Sequence, residues 1–288
     1  MNIHIFQNKE NLTTRLLRIA LENRGHTVTT NNYLYFDTTH PEKFDVSGID
    51  LVYYWNSAGI TGRMCLLDYL KAHKIPFVNR LFLEDLRALN KITQTYVVAK
   101  NNIRTPKTIV QKEASYDRLL ELLGTPFVMK AAFGSRGKKV YLIKSEEEYD
   151  SARQTMSGCE LLYQQFIPND GDFRIHVVGG KAVCAYKRVP LGDSFKANVS
   201  QGGSMEKVTD AALLQQIFLM AEKVAASFIG CEIVGVDLMR DKNTGDLYFI
   251  ETNEIPGTKQ VKEVTGVDIS DVMAEYFESV VRNQNVLG

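Results

Sequence analysis

Cysteine is scarce and scattered. Only Cys65, Cys159, Cys184 and Cys231 occur in 288 residues, and no two form a CxxC pair. That excludes a finger- or ribbon-type zinc site and offers no disulfide framework; it fits buried thiols in a reducing compartment. Histidine is nearly as rare. His4, His26, His40, His73 and His176 include no pair at ligand spacing, so a histidine metal centre or a Ser-His-Asp triad has no support. Charge of one sign is missing too. Lys plus Arg and Asp plus Glu number 34 each, without a run of like charge, and no field directs the chain to nucleic acid or an anionic membrane. No apolar run approaches the ~20 residues that span a bilayer. Met1 to Phe6 reads as a strand rather than a basic-then-apolar leader, and a cytoplasmic protein is expected. There is no internal repeat or low-complexity tract. No GxGxxG follows the first strand and no GxxxxGK(S/T) loop occurs, which removes the dinucleotide-binding and P-loop readings.

What is present begins with alternation. Asn2 to Phe6, His26 to Thr29, Ile49 to Tyr54 and Ile75 to Val78 are strand-like. Asn11 to Arg24 and Ile60 to Ala72 are helical between them, a spacing that predicts a parallel α/β unit. In the first helix Leu12, Leu16, Leu17, Ile19, Ala20 and Leu21 supply the apolar face. Asn79 to Leu89 is expected to form a helix that closes this unit. Beyond it the pattern changes to helices mixed with antiparallel hairpins. Ser115 and Ser145 cap helices, the second through a Ser145-to-Glu148 capping box. Phe173 to Val178 and Ala182 to Val189 flank a Gly179-Gly180 turn. The polar stretch from Pro190 to Ser204 is longer than compact domains usually tolerate without a function. Helices over Asp210 to Phe228 and Ser270 to Val281 follow.

One stretch organises the rest. Ile233 to Met239 and Leu247 to Ile250 read as strands joined by Asp-Lys-Asn-Thr-Gly245. Pairing Arg240 with Asp246 sets Asp237 opposite Phe249 and Gly235 opposite Glu251. Side chains alternate with period two, so Asp237, Glu251 and Asn253 share a face, the carboxylates as diagonal neighbours roughly 7–8 Å apart. Nothing pairs with either carboxylate locally. Two carboxylates and an amide oxygen are the hard ligands magnesium takes when it also holds phosphates.

Other residues suit an anionic nucleotide. Lys130 ends the apolar strand from Pro126. The loop after it, through Gly134, Ser135, Arg136, Gly137 and Lys138, offers backbone amides and cations to phosphate oxygens. Lys91 starts a helix. Gln164 to Pro168 joins a strand to a polar turn whose backbone can meet a purine edge. Asp172 and Arg174 open the next strand, where a surface ion pair is the plain reading. Arg188, Lys196, Asn198 and Gly202-Gly203 populate the long loop and its entrance. Trp55, Asn56 and Arg63, near the third strand, are candidates for a substrate pocket.

Taken in order, these motifs from about Asn79 to Ser270 resemble the ATP-grasp superfamily, and within it the RimK-type ligases that add glutamate-like amino acids to carboxyl groups. The resemblance implies an α/β and α+β protein: an N-terminal parallel α/β domain over 1–89, then a two-subdomain ATP-grasp fold over 90–163 and 164–288. It implies that Lys91, Lys130, Ser135 and Gly137 contact phosphates, that Gln165 and Phe166 hold adenine, and that Asp172 meets the ribose. Asp237, Glu251 and Asn253 would hold two Mg²⁺ ions, replaceable by Mn²⁺. Arg188, Lys196 and Asn198 would face the transferred phosphoryl group. The implied partners are ATP, a carboxylate and an amino acid or other amine, with no nucleic acid and no membrane; a homo-oligomer is compatible. Three departures stand out: Gln165 where glutamate is frequent, Lys138-Lys139 where a glycine is common, and Lys196 in place of an arginine, a point charge for a bidentate fork. The expected activity is ATP-dependent amide formation through an acyl phosphate. The rivals are a dipeptide, D-alanine-type or peptide-modifying ligase on the same fold, a kinase-like phosphotransferase, and a nucleotide-binding regulator without ligase activity.

Overall fold

A computed structural model describes residues 1–7, 9–31, 36–55, 60–112, 114–134, 139–191 and 203–287. Strands β1 (Asn2–Phe6), β2 (Thr27–Asn31), β3 (Leu51–Tyr54) and β4 (Phe77–Val78) form a parallel sheet in the order β2-β1-β3-β4. β1 and β3 are apolar on both faces, which suits strands covered on both sides by helices. Helix α1 (Leu12–Asn23) begins with a reciprocal cap: Thr14 N–H donates to the Asn11 side chain at 3.2 Å, and Asn11 N–H donates to the Thr14 hydroxyl at 3.1 Å. Gly25, at φ +80°, ends it.

The expected apolar face of α1 needs correction. Thr13, Thr14, Leu17 and Leu21 are buried, whereas Leu12, Leu16 and Ile19 are 45%, 39% and 41% exposed. Apolar residues surround this helix, so the pattern does not select a stripe. Packing against the sheet and a distant C-terminal helix selects it. The helix expected over 79–89 is also broken. α3 (Leu81–Glu84) stops at Asp85, and a 3-10 turn (Leu86–Leu89) follows α2 (Ile60–Ala72) and α3. The Asp85 carboxylate accepts from Arg87 N–H at 3.3 Å and from Ile229 N–H at 3.1 Å, which draws the chain off the helical path.

After α4 (Lys91–Lys100) comes a second, antiparallel sheet of β5 (Thr108–Ile109), β6 (Phe127–Ala131), β7 (Val140–Ile143) and β8 (Leu161–Gln165), in the order β5-β8-β6-β7. α5 (Tyr116–Leu123) and α6 (Glu146–Thr155) cover it, capped by Ser115 and Ser145. Glu148 reaches Lys144 N–H at 2.7 Å, one residue before the expected capping-box partner.

The third sheet is antiparallel: β9 (Asp172–Val178), β10 (Lys181–Val189), β11 (Ser204–Lys207), β12 (Ile233–Arg240) and β13 (Leu247–Asn253), ordered β11-β10-β9-β12-β13. β11 was not anticipated; it is a short polar edge strand paired with β10. α7 (Ala211–Ala226) packs on one face, and α8 (Val261–Thr265) and α9 (Ile269–Leu287) lie toward the other.

Two apolar cores join the first and third sheets. One runs from Phe6, Tyr54 and Phe82 into Phe173, Val236, Phe249 and α7; the other links Ile3, Ile5 and α1 with Ile233 and α9. The second sheet has its own core, built on Leu119, Phe127, Met129, Tyr149 and Tyr163. α4 lies within the 90–163 segment, yet its Val97 and Val98 join the first core and it packs on β13. Buried Asn79 ties the first sheet to the third. Its amide donates to the carbonyls of Ile233 (2.7 Å) and Glu254 (3.1 Å) and accepts from Ile233 N–H (2.5 Å) and Glu232 N–H (3.1 Å).

Candidate active site

The β12–β13 hairpin brings Asp237, Glu251 and Asn253 together by a route the sequence did not show. Arg240 pairs with Leu247 rather than Asp246, which shifts the register by one residue. An irregularity between Asp237 and Leu238 then leaves Ile250 as an extra residue on β13, so Asp237 stands directly opposite Glu251. The shift and the bulge cancel in parity, and the residues still share a face. The Asn253 amide nitrogen lies 3.5 Å from Asp237 Oδ2 and 3.5 Å from Glu251 Oε1.

Among the described residues, no local cation pairs with either carboxylate, but the fold brings distant ones to both. β9 runs antiparallel to β12 and sets Arg174 directly across from Asp237. Arg174 forks onto both Asp237 oxygens, through Nε to Oδ1 and through Nη2 to Oδ2 at 2.8 Å. Arg188 Nη2 donates to the same Oδ2 at 2.8 Å, and its Nε donates to Asp172 Oδ1. Burial alone would raise the Asp237 pKa, but the two guanidiniums outweigh it and hold the carboxyl below its usual range. Asp172 goes the other way: burial, reinforced by Asp237, pushes it up despite Arg188. Glu251 has a looser partner, Lys91, whose Nζ lies 3.4 Å from Oε2.

Lys91 also donates to the Gly134 carbonyl at 2.8 Å, which ties the start of α4 to the glycine loop after β6. Lys130 projects from β6 toward the same cluster. Burial, with neighbouring Lys91, pulls its pKa down to about 8, against the attraction of Glu251, Asp237 and Asp172. The two lysines and three carboxylates therefore sit within mutual electrostatic reach, although they come from different sheets.

At the junction of β8 and β9, the Gln165 side chain is exposed and Phe166 is half-buried. Gln165 N–H is taken by the Lys107 carbonyl at 2.9 Å, and the buried Gln164 amide donates to Thr108 Oγ1 at 2.9 Å. Ser135, Gly137, Lys196 and Asn198, with Asn56, lie outside the described residues. Trp55 borders the first sheet, and Arg63 is buried with its guanidinium 4.3 Å from the Phe82 ring centre.

Two neighbours of the cluster escaped the sequence reading. Arg174 looked like a surface partner of Asp172, and only the β9–β12 pairing turns it onto Asp237. Glu254 follows Asn253 and is half-buried; its burial, with Glu251 beside it, raises its pKa to about 7. Gln94 of α4 donates to Glu254 Oε1 at 3.3 Å and clamps both the N–H and the carbonyl of Thr252, fixing the end of β13.

Comparison with known proteins identifies the family and the fold. The RimK-like ATP-grasp domain family matches residues 88–277, which is most of the chain. The chain belongs to that family. It is an ATP-dependent ligase of the RimK-like type on the ATP-grasp fold, a fold that binds ATP. A curated relative from Shewanella frigidimarina, named "Probable alpha-L-glutamate ligase 1", is 26% identical over 300 residues, covering 98% of this chain and 97% of its own. The RimK domain ATP-grasp protein of Sphaerobacter thermophilus superposes with a TM-score of 0.73 at 18% identity, covering 96% of this chain and 99% of its own. The ATP-grasp ligase PsnB, solved with a minimal precursor, Mg and ADP, superposes at 0.71 with 14% identity, covering 97% and 98%. In this RimK-like chain, no helix among the described residues is long and apolar enough to cross a membrane.

Proposed function

We propose that this ligase joins an amino acid of the glutamate kind to a carboxyl group through an acyl phosphate, with release of ADP. One observation carries the reading. Lys91 and Lys130, from the side of the glycine loop, face Asp237, Glu251 and Asn253, from the hairpin, across one cluster. Cations and hard oxygen donors facing each other are what a polyphosphate with its counter-ion requires. The glutamate preference draws on the name of the curated relative. PsnB, solved with a precursor peptide, supports a second acceptor class, a carboxyl group of a peptide.

A carboxylate resists attack by an amine because oxide is a poor leaving group. Its oxygen attacks the γ-phosphorus of ATP, the bond to the β-phosphate oxygen breaks, and ADP departs. The amine then attacks the acyl carbon, phosphate leaves, and the ammonium proton passes to solvent or a nearby base. The protein mainly positions the reactants and balances charge. Lys91 and Lys130 take phosphate oxygens. Arg188, held by Asp172 and Asp237, is preset for the transferred group; in this reading Asp172 serves Arg188 as much as a ribose. Gln165 and Phe166 would border the adenine, and Ser135, Gly137, Lys196 and Asn198 would complete the phosphate and acyl-phosphate contacts.

The donor set fits magnesium, with manganese as substitute. Glu251 and Asn253 carry oxygen donors, and turning the Asn253 amide over would present Oδ1. Asp237 fits once a guanidinium releases it. When bound, the metal would neutralise the β- and γ-phosphate charge.

The test uses ¹⁸O-labelled carboxyl acceptors, free amino acids in one pool and short peptides in another, with glutamate as the amine. One label should pass to inorganic phosphate, with ADP as the nucleotide product and both substrates required. AMP with pyrophosphate, unlabelled phosphate, or phosphate transfer without an amine would overturn the reading.

A further inference from the structure

Asp237 differs from the other donors of its cluster. Three guanidinium N–H groups occupy its two oxygens: the fork of Arg174 and one bond from Arg188. The pair is sealed, with Asp237 at 2% and Arg174 at 8% exposure. Glu251, by contrast, keeps a quarter of its side chain exposed and meets a single lysine nitrogen at 3.4 Å. The backbone also makes room for the fork. A Cβ on Gly235 would lie 2.9 Å from Arg174 Cδ and 3.1 Å from Pro256 Cβ, so only glycine lets the arginine lie along β12 to reach its partner.

We infer that Arg174 is a positioning residue that keeps divalent cations off Asp237 until nucleotide arrives. A bare cation gains one carboxylate but strands a buried guanidinium, and an uncompensated buried charge is strongly unfavourable. An incoming polyphosphate supplies the anion that receives Arg174 and frees Oδ1 of Asp237, while Oδ2 keeps its bond from Arg188. Metal and nucleotide are then coupled through one side chain, and by linkage each strengthens the other by the same factor. Arg188 keeps its bond to Asp172 throughout and need not move. The inference rests on the ATP-and-metal part of the reading above, not on the identity of the carboxylate or amine.

A simple charge effect is the competing explanation, since removing any cation draws metal in. The experiment separates the two by following Mn²⁺ binding to the full chain, without nucleotide, by electron paramagnetic resonance. Arg174→Gln should tighten the nucleotide-free Mn²⁺ Kd at least about tenfold. Arg174→Lys, which keeps the charge but loses the fork, should tighten it also. Gly235→Ala, which keeps every charge and displaces the arginine, should do the same and carries the test if Arg174→Gln does not fold. Lys187→Ala, which removes a charge next to Arg188 in β10 but leaves the fork and every metal donor, should change the Kd less than about threefold. Equal tightening by Lys187→Ala and Arg174→Gln, or none in any fork variant, overturns the inference. No carboxylate or amine substrate enters the assay, so its failure is distinct from a failed labelling experiment.

Discussion

The second sheet and the pair formed by the first and third sheets are held together differently. The first and third sheets share both of their cores, and Asn79 stitches them through the backbone of β12 and the turn after β13. The second sheet closes its core on itself. Chain passes between it and the rest on either side of β5–β8. Among the described residues, polar ties join it to the rest at Lys91, whose N–H donates to the Ala132 carbonyl at 3.2 Å and whose Nζ donates to the Gly134 carbonyl. A polar contact yields to a moving neighbour more readily than an interdigitated core. The candidate site takes Lys130 from the self-contained sheet and its carboxylates from the fused body. The comparison teaches that the charged groups of the site are drawn from two bodies with separate apolar cores.

The largest expected effect strikes the seam. Lys130→Ala on one side and Glu251→Gln on the other should each lower kcat/KM for ATP by on the order of 10²–10³, as loss of one preorganised charge does elsewhere. Lys130 also leaves a proton signature. Its pKa is about 8 without nucleotide, and an anionic ligand favours the charged form. ATP binding near pH 8.5 should therefore take up a proton, seen as a buffer-dependent calorimetric enthalpy, and Lys130→Ala should abolish it. A wild-type enthalpy independent of buffer would break the assignment.

Core truncation should separate the two bodies. Phe127→Ala, in the self-contained core, should cost about 3–5 kcal/mol and raise amide exchange across β5 to β8, α5 and α6 while leaving β9 to β13 protected. Phe249→Ala, in a shared core, should loosen the first and third sheets together. Uniform exchange across all three sheets in Phe127→Ala would show that they unfold as one.

Acid should act on the fused body. Burial, with Arg174 nearby, pulls the His176 pKa down to about 3 from 6.5. The unfolded chain therefore binds a proton at this residue below about pH 6.5 while the folded chain does not, and stability falls as pH drops through that window. The second sheet contains no histidine. Between pH 7 and pH 5 the loss attributable to His176 is about 2 kcal/mol. The stability difference between wild type and His176→Gln should shift by that amount across the interval. A pH-independent difference would mean that His176 titrates normally in the folded protein.

The alternation of the first third and the caps at Ser115 and Ser145 were written locally, in periods of two and 3.6 and in turn chemistry, whereas Asp237, Glu251 and Asn253 share the expected face only because a one-residue register shift and a bulge cancel in parity. The choice of Lys91 and Lys130 as candidates was local too, because residue type and neighbouring glycines need no partner to be read. The tertiary structure decided the rest. It chose Thr13, Leu17 and Leu21 over Leu12, Leu16 and Ile19 as the inner face of α1, since a helix apolar on several sides has no preferred stripe until a partner packs on it. It broke the helix over 79–89 through an aspartate that also caps Ile229, far away in the chain. It placed Arg174 on Asp237, a contact between strands 63 residues apart. Local sequence carries periodicity and composition, whereas strand pairing across such a separation is settled by the whole chain's packing. The charge around a buried carboxylate is therefore known only once the sheet has closed.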